Sequence, residues 1–307
     1  MREAFTTFLT DLNAALPEEV RLSVVVPTPQ GSGEQLDTGA YDLRSIGEVA
    51  DFVKLVPERD QTVYRARMGE VMRYAVAQVP AQKIILILSP NSTFRVGDAG
   101  IGATSQVQAL AIAANPQIVE GTATVAPGDD VTVIGRNVDS QSGASGIDFD
   151  EAALAVSFSF QQEGQNVQYW IENRFSAAFK LDLASQFQLG GVALENIAED
   201  PNAASLWVPV QEYAESGAPT LLRPNAASFA LEWRVDGAPV EGQTNPTFVW
   251  TAVPAGGEHT IALVVSDGDI RVGAELVAVV EAAAAPDDDD DEEEVGGTPT
   301  PEGDAAE

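Results

Sequence analysis

Cysteine is absent from the 307 residues, and histidine occurs once, at His259. No disulfide, thiolate metal site or cysteine nucleophile can form. One histidine excludes the commoner zinc sites and argues against a Ser-His-Asp triad. His259 stands in the strand-like run "EHTIALVV" and reads as a strand residue. Basic residues are scarce as well: 16 Lys and Arg face 47 Asp and Glu, a net charge of −31. Residues 286–307 hold 11 of the acids and no base, leaving −20 on the rest. A surface of that sign repels nucleic acid and anionic lipid, so no nucleic-acid partner is expected. Long apolar runs are also missing. "IILIL" at 84–88 falls far short of the ~20 residues that span a bilayer. Asp11 and Asn13 interrupt the opening stretch where a signal peptide needs an apolar core. The sequence leads us to expect no membrane span, no signal peptide, no cofactor and no metal.

The length allows about two domains plus a tail. Phe5, Phe8, Leu9, Leu12 and Leu16 recur at helical spacing, so the chain opens on an amphipathic helix stopped near Pro17. "RLSVVV" at 21–26 is a continuous β-branched run, which suits a strand buried on both faces. A loop rich in Pro, Gly and Ser follows, then a helix at 42–50 and the strand "FVKLV" at 52–56. Met68, Val71, Met72, Ala75, Val76 and Val79 mark a helix whose methionines read as core, and "KIILIL" at 83–88 is the next strand. The order α-β-α-β-α-β predicts parallel strands with crossover helices. It resumes with the helix face Phe175, Ala178, Phe179, Leu183 and Phe187, the strand "GGVALE" at 190–195, and a helix at 203–216. Residues 97–168 interrupt it with alternating runs, which predict a β-rich insertion. From about Ala218 strands and turns alternate every 8–12 residues or so, the sandwich pattern. The run "PDDDDDEEEVGG" lies in a segment too polar to order itself, so 282–307 is expected to be a disordered acidic tail.

"FTTFLTDLNAALPEEVRLSVVVP", the turn "DTGAYD" and the strand opening "ADFVKLV" together resemble the second half of the barrel in glycoside hydrolase family 18. So does "VQYWIENRFSAAFKLDLASQFQLGGVALENI", in which Trp170 and Glu172 precede a helix carrying Lys180 and the final "GGVAL" strand. The resemblance covers about residues 3–216. It implies strands five to eight of a (β/α)8 barrel over 1–217, with the insertion at 97–168 in the place of the family's inserted subdomain. The segment 218–281 is similar to the immunoglobulin-like or PKD modules of bacterial surface glycosidases. Strands one to four of such a barrel would precede Met1. On the resemblance, the ligand is an N-acetylglucosamine polymer such as chitin or peptidoglycan, and the location is extracellular or in the cell envelope. A barrel half with open edges is also expected to self-associate.

Family-18 chemistry needs one glutamic acid at the mouth of strand four, written Asp-x-x-Asp-x-Asp-x-Glu, to protonate the leaving oxygen while the substrate's N-acetyl group attacks. The stretch Gly146-Ile147-Asp148-Phe149-Asp150-Glu151 nearly spells it. Ser145 replaces its first Asp, however, and Ala152 stands where the acid belongs. A slip of one residue turns Glu151 to the opposite face of a strand, so a plain turn is expected there. The family's Met-x-Tyr-Asp aligns with Val56, Pro57, Glu58 and Arg59, and its strand-eight tryptophan with Glu195. The chain is therefore expected to lack hydrolase activity. Glu58 and Glu195 stand at strand ends on the mouth, where barrel enzymes work, with Arg59 and Asp60 beside them. The two glutamates could act as acid and base, could bind a cation or sugar hydroxyls, or could simply form rim ion pairs, with Arg59 as one partner. Trp207 with Phe94 could stack a sugar or merely pack. "GIGATS" at 100–105 mimics a dinucleotide loop but stands about eleven residues from the preceding strand, with Ser105 in place of the last glycine. Two rivals stay open: a truncated product of an active secreted glycosidase, and a non-catalytic adhesion or scaffold protein.

Overall fold

The computed structural model describes residues 1–33, 36–197, 203–224 and 228–282. Its first part runs α1 (Arg2–Ala15), β1 (Ser23–Val26), α2 (Leu43–Val49), β2 (Phe52–Leu55), α3 (Tyr64–Val76) and β3 (Ile84–Leu88). Next come β4 (Ser92–Val96), β5 (Gly102–Thr104), α4 (Gln106–Ala114), β6 (Pro116–Glu120), β7 (Thr124–Val125) and β8 (Asp130–Gly135). The middle ends with β9 (Asp148–Asp150), β10 (Ala155–Gln162), β11 (Gln165–Ile171), α5 (Arg174–Gln186), β12 (Gly191–Leu194) and α6 (Trp207–Ser216). Strands β13 (Leu231–Val235), β14 (Ala238–Pro239), β15 (Thr247–Thr251), β16 (Gly257–Ser266) and β17 (Arg271–Val280) follow.

Strands β1, β2, β3 and β12 form a four-stranded sheet in that order, parallel throughout. These are the strands expected from the β-branched runs. Val24, Val26, Val53, Leu55, Ile84, Leu86 and Leu88 share the face that packs under the helices, and all are buried. The register places Val25, Phe52, Lys54 and Ile85 on the other face, where Val25 is 51% and Phe52 37% exposed. The sheet does not close: β1 and β12 are its outer strands, each with an open edge among the described residues. The run "RLSVVV" suits burial on both faces, yet at β1 only one face is buried. The glycine just before β12 has a steric cause. The Gly190 N–H donates to Ala81 O and Ile84 O at 2.9 Å, and a Cβ there would lie 1.9 Å from Gln82 O.

The insertion builds an antiparallel sheet in the order β5-β4-β11-β10-β9, so it reaches beyond 97–168 at both ends. Phe94, Tyr169 and Phe158 lie directly opposite one another across β4, β11 and β10, with centroids 5.4 and 5.1 Å apart. Such cross-strand aromatic pairs each add a fraction of a kcal/mol or more, about 0.5–1.5 in favourable stacking. Helix α4 packs on β16 and β17 and touches β11. Ser105 and Gln108 close its N-terminus in a capping box, and its Ala109, Leu110, Ala113 and Ala114 are buried.

The remaining strands form two further sheets, β14-β13-β16-β17-β7 and β15-β8-β6. They face each other: Trp233 of β13 packs on Phe248 of β15 with centroids 5.4 Å apart. The Cβ that Gly135 of β8 lacks would lie 2.3 Å from Leu263 of β16. This sandwich is composite. β6, β7 and β8 come from the insertion, and β15 pairs with β8 from Thr247↔Ile134 to Thr251↔Asp130. The two sheets therefore cross the division expected at 217/218. The sequence pattern suggests a sandwich folding by itself over 218–281, yet β15 finds no strand partner within that segment. Alternation reports which face of a strand is buried, not which strand lies beside it. Residues 283–307, nearly all of the expected tail, lie outside the described residues.

Candidate functional site

The loop after β2 folds back upon itself. Glu58 Oε1 accepts the Arg59 and Asp60 N–H groups at 2.8 and 2.9 Å, while Oε2 lies 3.8 Å from Arg67 Nε. The Glu58 N–H points at Met68 Sδ, 3.2 Å away. Glu58 thus makes a rim pair with Arg67 and not with Arg59, and the exposed Arg59 guanidinium has no ion pair among the described residues. Asp60 is also engaged. Its Oδ2 meets Arg95 Nη2 at 2.7 Å, and its Oδ1 accepts the Thr62 N–H and hydroxyl at 3.0 and 2.6 Å. Partial burial raises its pKa, but the bonds from Thr62 and Arg95 outweigh that and hold the carboxyl below the usual range.

Beside this loop lies a buried ionic floor. Strand β11 ends at Ile171, and Asn173 caps α5 by accepting the Phe175 and Ser176 N–H groups at 3.0 and 3.1 Å. Between them, Glu172 accepts a hydrogen bond from Ser176 Oγ at 2.8 Å and pairs with Lys180. Eight residues are about two helical turns, which brings Lys180 back over the start of its own helix. Both side chains are 7% exposed. The Lys180 ammonium lies 4.6 Å from the Tyr64 ring centroid, a cation–π contact strengthened by desolvation. Burial, then the negative charges of Glu172 and Glu58, push the Tyr64 phenol far above its ordinary range.

A cavity of about 220 Å³ joins the loop and the floor at the C-terminal end of the parallel sheet. Glu58, Arg59, Tyr64, Glu172, Lys180 and Glu195 line it, with Gln61, Ser89 and Asn91. Glu195 follows β12, its N–H bonded to Leu88 O at 3.0 Å, and its exposed carboxylate has no partner among the described residues. The structure thus brings Glu58, Arg59 and Glu195 together. It does not place Asp60, Trp207 or Phe94 in the lining. Trp207 is 51% exposed at the first turn of α6, and Phe94 is stacked on Tyr169. Ser89 and Asn91 were missed, although the strand-end rule that selected Glu58 and Glu195 applies equally after β3. Tyr64 had no such signal, because it enters from the start of a helix.

The near-motif at 146–151 is structural. Asp150 accepts Trp170 Nε1 at 3.0 Å and caps the Ala152 N–H at 2.9 Å, and Glu151 pairs with Arg65 and Arg223 at 3.3 and 2.6 Å. His259 is a strand residue whose Nδ1 lies 2.8 Å from Asp236, which raises its pKa. Among the described residues no cluster of three or more His, Asp or Glu could hold a metal ion.

No protein-family model and no curated protein matches the chain. Solved structures do. The spore cortex-lytic enzyme SleL of Bacillus megaterium QM B1551 is 22% identical with a TM-score of 0.51, over 73% of this chain and 47% of that one. The SleL enzyme of Bacillus cereus is 22% identical with a TM-score of 0.51, over 67% and 45%. A chitinase from Chromobacterium violaceum ATCC 12472 is 23% identical with a TM-score of 0.46 over 66% and 59%. The chain spans just under half the length of the two SleL structures. The likeness shows a fold shared with part of the two SleL structures.

Proposed function

We propose that the chain binds N-acetylglucosamine polymers, peptidoglycan or chitin, at the mouth of the parallel sheet, and does not by itself cleave them. The observation that carries this reading is the cavity at the strand ends. It sets two charged groups without an ionic partner among the described residues, Arg59 and Glu195, over a buried polar floor of Glu172, Lys180 and Tyr64. Sugar hydroxyls and acetamido groups both donate and accept, so they match a guanidinium and a carboxylate facing one space. The fold shared with a spore cortex-lytic enzyme points to the same class of polymer. Cleavage is not expected because no Asp-x-x-Asp-x-Asp-x-Glu occurs in the sequence. Glu58, the best-placed carboxylate, is held by two backbone amides and Arg67. An extracellular or envelope location fits such a ligand. No helix among the described residues is long and apolar enough to cross a membrane.

Co-sedimentation with insoluble peptidoglycan and chitin tests the reading. The full chain is retained on at least one, releases no reducing ends, and loses about tenfold in affinity with Arg59→Ala or Glu195→Ala, as for one charge-assisted hydrogen bond. Retention on neither polymer removes the proposal. Retention unaffected by either variant moves binding away from the mouth and favours the scaffold reading.

A further inference from the structure

A second cleft, with a lining of its own, lies where the insertion sheet meets the composite sandwich. It measures about 700 Å³ and is bounded by the tip of the β10–β11 hairpin, the C-terminal end of α4, the end of β8 and the middle of β17. Clefts between packed units are where small ligands preferentially bind, and this one falls in the usual size range of roughly 300–1,000 Å³.

Its polar groups are left open. Tyr169 is 7% exposed and lines the cleft, and its hydroxyl makes no hydrogen bond among the described residues. Burial pushes its phenol pKa up, so the group remains a neutral donor and acceptor. Asn137, 5% exposed, donates from Nδ2 to Ile112 O at 2.8 Å and leaves its Oδ1 unpartnered among the described residues. Neither oxygen is among the buried atoms left without a partner, which among the described residues are Arg174 Nε and Ser205 Oγ, so both face the solvent of the cleft. Around them stand the carboxamides of Asn115, Gln117, Gln161 and Gln162. Arg136 is steered over the cleft by Gln117, whose Oε1 accepts from Nη1 at 3.1 Å. Phe160 and Tyr169, stacked nearly parallel at 8° with centroids 6.3 Å apart, form the apolar floor.

We propose that this cleft binds a short neutral polyhydroxylated ligand, an oligosaccharide. The charge balance argues against an anion, since one arginine is outweighed by Glu163 and Glu275 on the rim and by a net −31 on the chain. An apolar ligand would strand the carboxamides. A hydroxyl gives and takes a hydrogen bond at one atom, as carboxamide pairs and a phenol require. The apolar CH groups of a sugar suit that floor. This site is separate from the mouth, and shares no lining residue with it.

Amide NMR of the full chain, titrated with chitotetraose, cellotetraose, maltotetraose or tetraalanine, decides the matter. At least one saccharide is expected to shift Gln117, Arg136, Asn137 and Gln161 together. Tyr169→Phe, which removes one oxygen and keeps the ring packing, should weaken that saccharide at least tenfold, and Arg136→Ala likewise. Glu195→Ala should leave it unchanged, so failure here is distinct from failure at the mouth. The proposal is overturned if no saccharide shifts the cleft, if tetraalanine alone does, or if Tyr169→Phe and Arg136→Ala both bind as the parent does.

Discussion

Lys180 and Glu172 are both 7% exposed, so each depends on the other. Withdrawing two charges from water costs several kcal/mol per ion, and only a close partner offsets it. Lys180→Met should therefore destabilise the chain by about 3–5 kcal/mol, because it strands Glu172. The double variant Glu172→Leu with Lys180→Met should recover most of that loss. Urea denaturation of the three proteins checks this, and a single variant costing under about 1 kcal/mol would mean that water reaches the pair. At this scale legibility was uneven. Glu58, Arg59 and Glu195 could be placed because strand ends on a parallel sheet all point to one rim. The role of Glu58 could not be read. Its two backbone donors and Arg67 come from the loop path and from α3, and neither leaves a mark on the spacing.

Elements were the most legible level, because the 3.6 and 2.0 periodicities are local. Each β-branched run of the α/β part became a strand of one parallel sheet, in chain order. Close approach was less visible, and it separates glycines that look alike in sequence. At Gly190 the obstacle is the backbone carbonyl of Gln82, 1.9 Å from where an alanine methyl would sit, while at Gly135 it is the end of the Leu263 side chain. A side-chain tip can turn aside and a strand backbone cannot. Gly190→Ala should cost more than the roughly 1–3 kcal/mol of ordinary overpacking, and Gly135→Ala less than Gly190→Ala. Thermal melts of the two variants give the order directly, and the reverse order would show that β12 can move away from β3.

In the whole molecule one apolar core runs through the insertion sheet, α4 and both sandwich sheets, from Phe158 and Leu110 to Trp233 and Trp250. Cutting the chain at 217/218 would divide it. A fragment of residues 218–282 leaves β15 without β8, and a fragment of 1–217 uncovers Val131 and Val133 of β8. Both should fail to fold: the first should give a collapsed amide NMR spectrum, and the second should aggregate. A dispersed spectrum from 218–282 alone would show that its strands find other partners.

By itself the sequence determined the α/β order, the four parallel strands, the rim on which Glu58 and Glu195 stand, and the absence of thiol chemistry. Those follow from local periodicity, residue inventory and the direction that parallel strands share. Only the tertiary structure decided that the sandwich borrows strands from the insertion, that Lys180 lies buried on Glu172, and that a second polar cleft opens beside Tyr169. Each of these depends on which distant segments come to lie side by side, and hydrogen bonds and packing between such segments impose no period on either one.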